Sequence, residues 1–172
     1  MVRTLPYLLL FAAAVLLQVF LFDNLTISVY FNPLVYIAFV LLLPLDTPHV
    51  GLLAAGLALG VTMDFAMGAA GVNTIATLFV AFVRPWVLGL FTGRDDAREG
   101  GVPSPERMGP RKFVHYLVVA VLLHHTLFFL LEALSFSHLM HTALRIAVSS
   151  ACSVLFIWLI ARLFTAKFPV RV

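Results

Sequence analysis

His124, His125, Glu132, His138 and His141 are the residues of this chain whose types could bind a transition metal or move a proton. Their spacing argues against both. His138 and His141 stand at i, i+3 near a helix start, and His124 and His125 are sequence neighbours that point to different helix faces. Neither HExxH nor H-x-E with CxxC is present. His125 and Glu132, seven apart, do share a face, yet interfacial histidines of an aromatic belt account for the same residues. No nucleophile elbow, P-loop or glycine-rich phosphate cradle occurs. The sequence therefore predicts no catalytic residue, no metal and no cofactor.

Asp64 raises a different question, because it lies inside the apolar stretch GLLAAGLALGVTMDFAMGAAG that starts at Gly51. Gly56, Gly60, Asp64 and Gly68 recur at i+4 and line one helix face, with Gly56 and Gly60 forming a GxxxG. Glycines let a neighbouring backbone come close, either within the protein or from a partner helix. A carboxylate in such a run costs about 2.5 to 3.5 kcal/mol on insertion scales unless it is paired or wet. Gln18, Asn73, Glu132 and Arg145 also interrupt apolar runs. They predict a polar cluster with Asp64 at one membrane face, in which Arg145 pairs with Asp64 or Glu132; separate snorkelling of each group is the alternative. Ser149 and Ser153 follow Arg145 at i+4 and predict a seam of close packing. Arg84-Pro85-Trp86 predicts an interfacial arginine, a permitted kink and a belt tryptophan.

The elements that must position these residues follow from composition. Hydrophobic residues make up 62% of the 172, charged residues only 11%, and the mean hydropathy is +1.06. Such a chain cannot cover itself with polar groups, so lipid is the solvent for most of its surface. The fold class is all-α, a single transmembrane domain over 1–172. Six runs are predicted, approximately 5–22, 33–45, 49–67, 72–91, 113–134 and 139–164. The second is short for a ~30 Å hydrocarbon core and is read as tilted, broken or partly re-entrant. The first lacks a small-x-small cleavage site and is read as an uncleaved helix. Residues 92–112, rich in Gly, Pro and charge, are predicted to form a flexible loop.

Orientation comes from the basic residues. Arg3, then Arg94, Arg98, Arg107, Arg111 and Lys112, then Arg162, Lys167 and Arg171 cluster near alternate helix ends, whereas residues 23–32, 68–71 and 135–138 hold no Lys or Arg. The positive-inside rule puts the basic regions and both termini in the cytoplasm. The net charge of +3 belongs to this pattern and not to a nucleic-acid face. Cys152 has no second cysteine to pair with.

The segments LQVFLFDNL from Leu17, Asn32-Pro33, the Gly51, Gly56, Gly60, Asp64 and Gly71 pattern, Arg84-Pro85, and HHTLFFLLEALSF from His124 resemble the rod shape-determining protein MreD family over about residues 16–155. The resemblance implies a bacterial inner-membrane subunit of the cell-elongation machinery with no enzymatic activity. It implies a bitopic MreC-like partner and, through it, an MreB-like filament, a RodA-like glycosyltransferase and a class B penicillin-binding protein. It also implies a fold similar to substrate-binding subunits of energy-coupling-factor vitamin transporters.

Three functions remain open at this stage. One is a scaffold that binds partner transmembrane helices and organises peptidoglycan synthesis. Another is a transporter subunit with the polar cluster as ligand pocket. The third, an intramembrane hydrolase using the histidines and Glu132, has least support. A filled interior would favour the scaffold, an open pocket the transporter.

Overall fold

The computed structural model describes residues 4–24, 30–93, 100–133 and 139–167. Among these the secondary structure is wholly helical: α1 (Leu5–Leu16), a π-helical continuation (Leu17–Phe22), α2 (Ala38–Leu41), α3 (His49–Met67), α4 (Val72–Phe91), α5 (Pro105–Met108), α6 (Pro110–Ala133) and α7 (Leu139–Lys167). Five stretches are long and apolar enough to cross a membrane: Leu5–Phe22, His49–Met67, Val72–Phe91, Pro110–Ala133 and Leu139–Ala166. The outward residues are apolar, with Phe20 72% and Phe65 86% exposed, as a lipid-facing surface requires. The molecule is a multi-pass membrane protein.

Prolines and glycines set the helix limits. Pro6 occupies the start of α1, and Pro48 precedes α3. Gly68 ends α3 at φ +65 and Gly71 opens α4 at φ +89, left-handed conformations that make the tight turn between the two helices. Pro110 starts α6 three residues earlier than the hydropathy predicts, because its missing N–H costs nothing in a first turn. We call the end with residues 68–71 the hairpin end, and the end with residues 92–109 the loop end.

Helices α3 and α4 form the tightest pair. A Cβ on Gly56 would lie 2.7 Å from Ala81 Cβ, and one on Gly60 would lie 2.5 Å from the Thr74 Cα. The glycine ridge is thus internal at both positions. Gly68 is corrected: it is an exposed cap, and a Cβ there would meet nothing within 4 Å. Helix α4 also packs on α6, and α6 on α7.

The second predicted run is not a continuous helix over 33–45 but a broken one, among the forms that its shortness allowed. Within 33–45 only Ala38–Leu41 is α-helical. Pro33 and Pro44 remove two backbone donors and restrict the residues before them, so a regular helix does not fill the interval. Yet every residue from 33 to 43 is buried, and Leu34, Tyr36, Ile37, Val40 and Leu41 have no exposed surface. This central segment runs lengthwise through the bundle, from Gln18 and His125 to Arg84 and Tyr116. The predicted loop is corrected as well. Its residues 94–99 lie outside the described ones, but Val102 and Ser104 are fully buried, Leu45 N donates to Gly101 O at 2.8 Å, and Ser104 Oγ caps α5 by accepting from Arg107 N at 3.3 Å. The last helix runs to Lys167 rather than 164.

Gly60→Ala should lower stability by about 1 to 3 kcal/mol, as overpacking against backbone does. Gly89→Ala, with open space around its Cβ, should be neutral or stabilising. Thermal unfolding in detergent compares them; equal melting temperatures would show that α3 and α4 are not in contact at Gly60.

Candidate functional site

The buried polar residues gather on the central segment. At the hairpin end, the backbone of α1 widens into a π-helix at Gln18, with Asp23 N donating to Gln18 O at 2.8 Å. The buried Gln18 amide then serves the segment twice over. Its Nε2 donates to Pro33 O at 3.2 Å, and its Oε1 accepts from Val35 N at 2.7 Å and Tyr36 N at 3.3 Å. From α7, Ser149 Oγ accepts from Asn32 N at 3.1 Å and donates to Tyr30 O at 3.2 Å.

His125 completes this end, and its geometry fixes its proton. Nδ1 lies 3.0 Å from the Val121 carbonyl, so it carries the hydrogen, which leaves Nε2 as an acceptor. Nε2 takes the Leu34 amide at 3.4 Å and the Ser153 hydroxyl at 3.1 Å. The two serines of the predicted seam are therefore hydrogen-bonding groups that hold the segment and its histidine.

Tyr36 anchors the middle. Its hydroxyl donates to Asn73 Oδ1 at 3.0 Å, accepts from Thr77 Oγ1 at 3.4 Å and lies 3.1 Å from His124 Nε2. With its one hydrogen given to Asn73, the hydroxyl can only accept from His124, so His124 is protonated on Nε2. Adjacent histidines thus hold opposite tautomers, each set by a different partner. Both are buried core residues rather than interfacial ones.

At the loop end the segment presents carbonyls, and Arg84 receives them. The sequence placed Arg84 at the interface, but it is only 1% exposed. Its Nη2 donates to Leu41 O at 3.3 Å and also to Leu43 O, Nη1 reaches Pro44 O at 3.5 Å, and Nε donates to Tyr116 Oη at 3.2 Å. Tyr116 in turn donates to Leu41 O at 2.9 Å. Among the described residues no carboxylate lies within ion-pair distance of Arg84. Carbonyl dipoles at the end of α2 supply the negative potential instead.

The five-residue cluster is corrected, because the structure divides it. Asp64 accepts from Asn73 N at 3.0 Å and Thr74 N at 2.9 Å, and takes the Thr74 hydroxyl. It caps the free amides at the start of α4 from the last turns of α3, which is a structural use of an intramembrane acid. Arg145 pairs instead with Glu132 at 2.9 Å and lies over the Phe129 ring at 4.6 Å from its centroid. Both side chains of that pair are partly exposed. Gln18 belongs with the segment, and Asn73 joins Asp64 to Tyr36.

Tyr36, Tyr116, Thr74 and Thr77 were not singled out in the sequence, because hydroxyls in apolar runs look like ordinary packing. The available signal was the interval between Pro33 and Pro44, whose amides and carbonyls need partners that a broken helix cannot supply. Among the described residues no group of three or more His, Cys, Asp or Glu could hold a metal. The one serine–histidine contact among the described residues, Ser153 Oγ to His125 Nε2 at 3.1 Å, is fully buried, and the same Nε2 also accepts the Leu34 amide.

Compared with protein-family models, curated proteins and solved structures, the chain matches none. Fold and site define it by themselves as a multi-pass membrane protein built around an internal segment with only a short helix.

Arg84→Met should destabilise the protein by about 1 to 3 kcal/mol for each carbonyl left bare; an unchanged melting temperature would mean that the carbonyls have other partners. In a double-mutant cycle, Arg145→Ala and Glu132→Gln should couple by about 0.5 to 1 kcal/mol, the size for partly exposed ions. Arg145→Ala and Asp64→Asn should be additive, and coupling there would contradict the division of the cluster.

Proposed function

We propose that the chain is a non-enzymatic scaffold of the bacterial cell-elongation complex, of the MreD type. The observation that carries the choice of scaffold over transporter subunit is the buried segment at residues 33–43. The protein's own backbone fills the bundle where a transported ligand would sit, and side chains on α1, α4, α6 and α7 are spent on holding it. A transporter subunit keeps such polar groups for its cargo. The MreD-like motifs supply the rest of the reading, namely an MreC-like bitopic partner and, through it, an MreB-like filament, a RodA-like glycosyltransferase and a class B penicillin-binding protein.

The central segment also bears on topology. In this reading it is a sixth crossing, made without a regular helix, so that both termini and the basic loop lie on the cytoplasmic side of the inner membrane. Gly56 and Gly60 are occupied by α4, so a partner helix docks elsewhere on the lipid-facing surface.

Reporters fused after Val172 and inserted near Gly101 should both give cytoplasmic signals; a periplasmic signal from the first would remove the sixth crossing. Cells depleted of the protein should lose rod shape, and the tagged protein should co-purify with a bitopic partner from native membranes. Normal rod growth combined with lost uptake of one small molecule would overturn the scaffold in favour of the transporter.

A further inference from the structure

The charges of the described residues are distributed unequally between the two ends of the bundle. At the hairpin end, Arg145 is neutralised by Glu132 at 2.9 Å. At the loop end, Arg111 and Lys112 stand in the first turn of α6, which contains no acid, and Arg162 stands toward the end of α7. All three are exposed, and none has an ion-pair partner among the described residues. The described acids of this end are Asp46, whose carboxylate lies against the Gly100 backbone, and Glu106 in the short helix α5.

The aromatic residues mark the level of these cations. Both tryptophans of the chain, Trp86 and Trp158, lie toward the loop end of their helices. Trp86 is exposed and packs edge to face on Phe82 at 4.8 Å. The Arg162 guanidinium lies 4.5 Å above the Trp158 ring, so stacking orients it while its N–H donors stay free of protein partners. Tryptophan collects at the boundary between acyl chains and headgroups. The cations therefore stand where lipid phosphates stand, and among the described residues no carboxylate pairs with them.

We propose that the loop end is a docking face for anionic phospholipid headgroups, with Arg162 on Trp158 as its oriented donor and Arg111 and Lys112 as additional positive charge. The inference rests on the multi-pass fold and is independent of the scaffold reading. Guanidinium suits this role because its planar N–H pairs match phosphate oxygens, and the lipid-facing position lets a headgroup approach without opening the bundle. The hairpin end, its arginine already paired, should not select for lipid charge.

The test uses the full chain reconstituted in nanodiscs of phosphatidylcholine with and without phosphatidylglycerol, with bound lipid counted by native mass spectrometry after release and thermal unfolding measured in parallel. Phosphatidylglycerol should be enriched around the protein and should raise its melting temperature. The combined Arg111→Gln, Lys112→Gln and Arg162→Gln variant should lose the enrichment by about five-fold for each cation removed, and high salt should weaken it. Arg145→Gln should leave it intact. Should the triple variant fail to fold, the three single variants carry the same comparison. Equal retention of the two lipids, preference unchanged in the variants, or the same stabilisation from inorganic phosphate alone would each overturn the proposal.

Discussion

Peptide groups in hydrocarbon have no water to turn to, and this constraint governs the whole molecule. A regular helix meets it internally. Residues 33–45 meet it only in part, because two prolines interrupt them and their helical turns close backbone hydrogen bonds only between Val35 and Leu43. The amides before Ile37 and the carbonyls after Val40 are met by side chains, each unmet group costing about 1 to 3 kcal/mol. The polar residues that interrupt otherwise apolar helices answer that demand: Gln18 on the early amides, His125 on Leu34, Arg84 and Tyr116 on the late carbonyls. Apart from the Asp64 cap and the Arg145–Glu132 pair, the described intramembrane polar groups gather on that one segment.

The division of labour among the helices follows from it. Helices α3 and α4 form a hairpin that is complete in itself, closed by Gly56 and Gly60 on one side and by the Asp64 cap on the other. Helix α4 then offers its other polar residues, Asn73, Thr77 and Arg84, to the segment. Because α1, α4, α6 and α7 all contact one backbone, a displacement of any of them disturbs the hydrogen bonds of the rest.

Much of the fold was legible in the sequence, because length and apolarity alone identify membrane helices. The ranges for α3 and α4 match the hydropathy reading, and the proline-bounded second run already appeared too short for a regular span. The fate of that run was not legible. Hydropathy registers that residues 33–43 are apolar but not that their backbone needs outside partners. The five polar residues were grouped as one cluster, and the structure separates them. Arg145 was paired with the right class of residue, but helix-face arithmetic could not decide between Glu132 and Asp64. Asp64 had no need of a cation, since backbone amides nine and ten residues later neutralise it. Arg84 was misplaced because a snorkelling arginine and an arginine clamping carbonyls have the same local sequence. Only the neighbouring chain distinguishes them.

The dependence of residues 33–45 on partners from α6 and α7 has a consequence for synthesis at the ribosome. When that stretch emerges, Tyr116, His125 and Ser153 have not yet been made, and they follow it by 70 residues or more along the chain. Lipid offers no interim solvent for an irregular backbone. The stretch must therefore wait in the wet interior of the insertion machinery, or beside a protein that supplies substitute donors and acceptors, until the last helices arrive. Residues 33–45 thus gain their full set of hydrogen-bond partners only once α6 is in place.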